Sequence, residues 1–105
     1  MQAPVRNHEQ AVQRILACED QVRALGVTRL ALFGSVVLGN ARPQSDVDVL
    51  VQFVPGAKSY DRFLVLSELL EAQLGRSVEL VTVEALSPFI GPHILATAQD
   101  VFRAA

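Results

Sequence analysis

Hydrophobic residues along the first quarter of the chain recur with the spacing of a helix. From residue 8 to residue 25 they are separated by three, four or seven positions, which predicts one amphipathic helix. Asn7 followed by Gln10 resembles a capping box, and Gly26 suits the end of a helix. The predicted buried face consists of Val12, Ile15, Leu16, Val22 and Leu25.

Two short apolar runs then predict strands over residues 27–33 and 45–53. The second run alternates strictly, so its side chains should point to opposite faces of a sheet in turn. Between the two runs, Gly34 and Ser35 predict a turn, and residues 35–41 have room for one or two helical turns. One face of the second strand carries Val47, Val49, Val51 and Phe53, and the other carries Asp46, Asp48, Leu50 and Gln52.

The second half of the chain continues the alternation of helices and strands. Ser59 and Gly75 bound a predicted helix over residues 60–74, whose apolar stripe is Phe63, Leu66, Leu70 and Leu74. Residues 77–83 predict a third strand, and residues 87–102 predict a broken helical segment. The order of elements predicts an α/β fold in which helices pack on a three- or four-stranded sheet. Spacing alone leaves a parallel and a mixed sheet open.

Composition narrows the classes of function. The 105 residues, half of them hydrophobic, suit a single domain over residues 1–105. A net charge of −2 and a pI of about 5.6 argue against general nucleic-acid binding, which needs a basic face. Cys18, the one cysteine, fits a reducing compartment and a packing role. Since neither a signal peptide nor a membrane span is evident, we expect a cytoplasmic protein.

Asp46 and Asp48 are the residues that suggest a catalytic or metal-binding site. Side chains two residues apart on a strand lie on one face, roughly 6.5 Å apart. Two carboxylates at close range favour a cation between them, and Mg²⁺ prefers such oxygen ligands. Gly34 and Ser35 lie upstream, on the other side of the spacer. A glycine would let the backbone approach a phosphate group closely, and N–H groups at the start of the following helix would favour an anion. Each feature alone is common on strands and turns, but their combination favours a phosphoryl-transfer site.

The stretch "FGSVVLGNARPQSDVDVLV" resembles the signature of the DNA polymerase beta-like nucleotidyltransferases, and more narrowly that of the minimal nucleotidyltransferases. The similarity extends to "LGRSVELVTVEAL", where the family places a third carboxylate, and to "PHILATAQDVF", which resembles its C-terminal helix. This resemblance implies a small nucleotidyltransferase fold with a mixed sheet flanked by helices. It also implies transfer of a nucleoside monophosphate from a nucleoside triphosphate, here AMP from ATP, to an acceptor hydroxyl.

The resemblance also implies roles for individual residues. Asp46, Asp48 and Glu79 would be the catalytic carboxylates and the ligands of two Mg²⁺ ions. A surface role for Glu79 at a sheet edge stays open beside the catalytic one. The residues implied in nucleotide binding are Gly34, Ser35, Arg42 and Ser45.

Two departures from the family pattern keep a second function open. Val36 and Leu38 stand where the family often has arginines, which implies weaker binding of the triphosphate unless Arg42 compensates. Glu79 stands where an aspartate is usual. The resemblance implies an antitoxin that adenylylates a tyrosine of a HEPN-domain toxin. The alternative is an antitoxin that neutralises this partner by binding alone, and a homo-oligomer is also left open.

Overall fold

The computed structural model describes residues 3–34 and 46–103 as a mixed four-stranded sheet with helices. In chain order the elements are α1 (His8–Ala17), α2 (Glu19–Ala24), β1 (Val27–Phe33), β2 (Val47–Phe53), α3 (Tyr60–Leu74), β3 (Val78–Thr82), a 3₁₀ turn (Val83–Ala85), α4 (Gly91–Thr97) and β4 (Gln99–Arg103). The predicted strands and the long helix are confirmed, with boundaries that differ by at most two residues.

The sheet has the strand order β3-β2-β1-β4. Strand β1 runs antiparallel to both β2 and β4, whereas β2 and β3 run parallel. The end of β1 and the beginnings of β2 and β3 therefore meet at one end of the sheet. This confirms the mixed α/β fold, which the spacing of hydrophobic residues alone did not distinguish from a parallel one.

The main core forms between one face of the sheet and the helices. Val47, Val49 and Val51 of β2 are fully buried, as predicted. They join one cluster with Ile15 of α1 and with three leucines of α3, Leu66, Leu70 and Leu74. Burial of this apolar surface supplies the main favourable free energy of folding. It also holds β2 rigidly, which matters because β2 carries Asp48.

The first predicted helix is two helices. Helix α1 ends at Ala17, and the backbone of Cys18 leaves the helical conformation at φ −117° and ψ 21° before α2 begins. Cys18 is buried at this break, and burial raises the pKa of its thiol. This supports the predicted packing role. The break also changes the buried face, since Leu16, predicted to be buried, is 43% exposed.

The prediction for the last segment was wrong in its second half. Residues 99–103 form strand β4 rather than the end of a broken helix. Phe102 pairs with Leu30 of β1 and is buried, and the Asp100 carboxylate accepts a hydrogen bond from Arg29 Nε at 2.6 Å. These partners are distant in the sequence, so the local pattern of residues 87–102 did not indicate the strand.

Within residues 3–34 and 46–103, no helix is long and apolar enough to cross a membrane. The helical turns predicted for the spacer over residues 35–41 lie outside the described residues, as do Ser35, Arg42 and Ser45.

Candidate active site

The candidate site lies where β1 ends and where β2 and β3 begin. Asp48 is the second residue of β2, and the pairing of the strands places it between two neighbours. Phe33, the last residue of β1, lies beside it on one side, and Glu79 of β3 lies beside it on the other. The sheet thus brings Asp48 and Glu79, predicted from separate motifs, into register.

Asp48 and Glu79 interact directly. Asp48 is half-buried, whereas Glu79 is exposed on the edge strand. The pKa of the Asp48 carboxyl is raised to about 6, mainly by burial, with smaller contributions from the charge of Glu79, a hydrogen bond between the two side chains and the charge of Asp46. A carboxyl group with this pKa holds its proton more tightly than an ordinary aspartate because the neighbouring negative charges oppose its ionisation.

Asp46 is exposed, immediately before the first residue of β2. Its charge contributes to the raised pKa of Asp48, so it belongs to the same electrostatic site. In the described part of the chain, however, no three His, Cys, Asp or Glu side chains converge closely enough to surround a metal ion. Asp48 and Glu79 form the contact pair, and Asp46 is a more distant member.

Gly34 follows β1 directly and lies against Asp48. Its φ of +71° is in the left-handed region, where glycine carries no steric penalty. A Cβ atom at this position would overlap Asp48 Oδ2 and would lie 3.0 Å from Asp48 Cγ. The sequence predicted Gly34 as a site residue through its approach to phosphate, but it did not predict this proximity to Asp48. A glycine at the end of a strand, before an acidic pair, is too common a pattern to have revealed it.

The donor set suits a hard cation. Carboxylate oxygens are the ligands that Mg²⁺ prefers, and a cation beside Asp48 and Glu79 would offset the repulsion that raises the Asp48 pKa. The exposure of Glu79 leaves this side of the pair open to a substrate. The pair can therefore offer oxygen ligands to a cation and a carboxylate to a proton.

Similarity to known proteins extends over most of the chain. Residues 15–101 match the model of the family described as nucleotidyltransferase domain. The protein adenylyltransferase MntA of Thermococcus cleftensis is 43% identical over 72 residues, which are 67% of this chain and 70% of that protein. A solved structure described as a minimal nucleotidyltransferase has a TM-score of 0.80 at 31% identity, covering 92% of this chain and 98% of the other.

A more distant solved structure shares the fold. It is a complex of a tri-AMPylated HEPN toxin of Shewanella oneidensis with an MNT antitoxin. The matching chain has a TM-score of 0.64 at 16% identity, with coverage of 90% of this chain and 73% of that one. At this identity the likeness concerns the fold alone.

Proposed function

Because the chain belongs to the nucleotidyltransferase domain family, as a minimal nucleotidyltransferase, we propose that it transfers AMP from ATP to a hydroxyl group of a partner protein. The observation that carries the proposal is the pairing of Asp48 with Glu79 at the end of the sheet where β2 and β3 begin, beside Gly34. The relative from Thermococcus cleftensis is named a protein adenylyltransferase, which supports a protein as the acceptor.

Magnesium is the metal that the donor set favours. Asp48 and Glu79, with Asp46, would hold two Mg²⁺ ions as predicted from the resemblance. Bound there, the ions would neutralise phosphate charge and stabilise the attacking and leaving oxygens of the displacement. Without a cation, burial and the neighbouring carboxylates raise the pKa of Asp48 to about 6.

The chain's own residues would bind and orient the two reactants. The acceptor oxygen attacks the α-phosphorus of ATP, a new oxygen–phosphorus bond forms, and the bond to the bridging oxygen breaks to release pyrophosphate. Glu79 is the carboxylate that we assign to take the proton of the acceptor hydroxyl, since it is exposed and a protein side chain can reach it. Gly34, with Ser35, Arg42 and Ser45, would bind the nucleotide.

The proposed partner is a HEPN-domain toxin, and the proposed acceptor is a tyrosine hydroxyl on it. The complex of an AMPylated HEPN toxin with an MNT antitoxin supports the choice of partner, because a chain of that complex has the fold described here, while the tyrosine acceptor rests on the family resemblance. In this proposal the chain is an antitoxin that inactivates its partner by covalent modification in the cytoplasm.

The second candidate is an antitoxin that acts by binding alone. The observation that favours it is the apolar spacer, in which Val36 and Leu38 replace residues that could neutralise the triphosphate. In this case the protein would keep Asp46, Asp48 and Glu79 but would not catalyse nucleotide transfer.

A labelling experiment tests the proposal and separates the two candidates. The protein is incubated with labelled ATP, Mg²⁺ and a HEPN-domain protein encoded next to it. We expect label on the HEPN protein, and its loss with Asp48→Ala and with Glu79→Gln. The matched control is Asp61→Ala, which removes an exposed carboxylate in the first turn of α3 and should keep full activity.

The outcomes differ clearly between the two candidates. Transfer that requires Asp48 and Glu79 supports the enzyme. If the unmutated protein transfers no label, yet inhibits the toxin as well as Asp48→Ala does, the enzymatic proposal is wrong and binding alone accounts for the inhibition.

A further inference from the structure

The space beside Gly34 is occupied by the side chain of Asp48. A Cβ atom at residue 34 would overlap Asp48 Oδ2 and would lie 3.0 Å from Asp48 Cγ and 3.4 Å from Asp48 Cβ. The last separation is tight but tolerable, whereas the first two are closer than a packed side chain normally accepts. The conflict therefore concerns the carboxylate of Asp48 and not its backbone.

Gly56 allows the effect of the steric overlap at residue 34 to be told apart from the effect of a left-handed backbone. Its φ of +83° is left-handed like that of Gly34, but a Cβ atom there would meet no atom within 4 Å. A side chain at residue 56 would therefore cost only the backbone strain, while one at residue 34 would also displace the carboxylate. Gly56 is therefore the control for Gly34: the two residues share a left-handed backbone and differ in whether a Cβ atom would meet a neighbour.

We propose that Gly34 is a positioning residue for Asp48, because the absence of a side chain at residue 34 lets the Asp48 carboxylate lie between β1 and Glu79. Strand pairing places Phe33 and Glu79 on the two sides of Asp48, and Gly34 follows Phe33 directly. A methyl group at residue 34 would rotate the carboxylate away from this place. The inference deepens the proposed function, and only its consequence for cation binding rests on that function.

A double-mutant cycle tests the inference in metal-free protein. The melting temperature is measured for Gly34→Ala and Gly56→Ala, each alone and combined with Asp48→Ala. Gly56→Ala should lower it by about 4–8 °C in both backgrounds, through backbone strain alone. With Asp48 present, Gly34→Ala should lower the melting temperature by about 4 °C or more beyond the decrease caused by Gly56→Ala. This additional decrease should vanish when Gly34→Ala is combined with Asp48→Ala.

Asp46→Ala is the control for charge. It removes a carboxylate that influences Asp48 electrostatically, but it removes none of the atoms that a Cβ at residue 34 would meet. It should therefore leave the excess cost of Gly34→Ala in place. Equal costs at residues 34 and 56 in every background, or equal rescue by Asp46→Ala and Asp48→Ala, would overturn the inference.

If Gly34→Ala alone does not fold, its combinations with Asp48→Ala and Asp46→Ala still test the inference. If Gly34→Ala combined with Asp48→Ala folds while its combination with Asp46→Ala does not, the inference is supported. If neither combination folds although Gly56→Ala does, the cost at residue 34 does not depend on the Asp48 carboxylate and the inference is wrong.

A second measurement follows cation binding rather than stability. The rise in melting temperature caused by Mg²⁺ with ATP is compared among the unmutated protein, Gly34→Ala and Gly56→Ala. We expect the rise to be lost in Gly34→Ala, which retains Asp48, and to be kept in Gly56→Ala. A full rise in Gly34→Ala would contradict the inference. If the unmutated protein shows no rise, the proposed cation site is wrong, while the metal-free cycle still decides the role of Gly34.

Discussion

At the scale of single residues, Asp48 stands out because the fold places it where its charge is unfavourable. It is half-buried, it contacts Glu79, and Asp46 is near enough to add to the repulsion. The folded protein therefore holds a proton on Asp48 more tightly than the unfolded chain does. Such a group is typical of functional sites, where stability is given up to hold charges in place for a ligand.

The raised pKa predicts that metal-free Asp48→Asn is more stable than the unmutated protein at pH 7. The pKa of Asp48 is about 6 in the folded protein against an ordinary value of 3.8. The tighter binding of a proton by Asp48 in the folded protein therefore stabilises the fold fully below about pH 3.8, and this stabilisation is lost as the pH rises through about 6. Allowing for solvent screening of a half-exposed group, we expect a gain of about 1 kcal/mol at pH 7. Urea denaturation in the presence of a chelator measures it.

The same experiment at pH 4 is the first control, because the gain should largely disappear there. Glu79→Gln is the second. It removes the neighbouring charge and should lower the pKa of Asp48 below about 6, which carboxyl NMR titration measures. A gain for Asp48→Asn that is the same at both pH values would contradict the assigned cause.

At the scale of elements, local signals decide where helices begin and end. Ser59 precedes α3, and its Oγ accepts a hydrogen bond from the backbone N–H of Arg62 at 3.2 Å. Asn7 caps α1 in the same way by accepting from Gln10 N–H at 2.9 Å. Both caps were predicted from the sequence, because a cap depends only on residues within one turn of the helix.

Ser59→Ala should destabilise the protein by about 1 kcal/mol, because one backbone N–H at the start of α3 loses its acceptor. For a chain of this size the melting temperature should fall by about 4–8 °C. Ser59→Asp is the matched control, since aspartate also caps helices and should keep the melting temperature near that of the unmutated protein. An unchanged melting temperature for Ser59→Ala would show that the cap contributes nothing.

At the scale of the whole molecule, β4 completes the sheet and connects the end of the chain to its core. Phe102 is 7% exposed, and the Arg23 guanidinium of α2 lies 4.4 Å from the centre of its ring. Arg29 and Asp100 join β1 to β4 across the sheet through an ion pair. The strand thereby supports β1, whose end leads into Gly34 and the candidate site.

Phe102→Ala should lower the free energy of unfolding by about 3–5 kcal/mol, because it leaves a cavity beside β1. The matched control is Phe89→Ala. Phe89 is 94% exposed, and its replacement should change stability by less than about 0.5 kcal/mol. Urea denaturation of both variants measures the difference. Similar effects of the two substitutions would show that β4 does not pack against the core.

Local sequence patterns were enough to predict strands β1, β2 and β3, helix α3 and the acidic pair at the start of β2. Alternation of side chains, helical spacing and caps are local properties, and the sequence shows them directly. The similarity to a family also indicated the nucleotidyltransferase fold. The roles of Asp46, Asp48 and Glu79 as metal ligands stay predictions.

Contacts between residues far apart in the sequence are seen only in the folded structure. Strand pairing placed Glu79 against Asp48, and it made a strand of residues 99–103, most of which had been predicted as the end of a broken helical segment. It also set the carboxylate of Asp48 in the space that Gly34 leaves open. These contacts depend on register between strands that are far apart in the sequence, and no local pattern encodes that register.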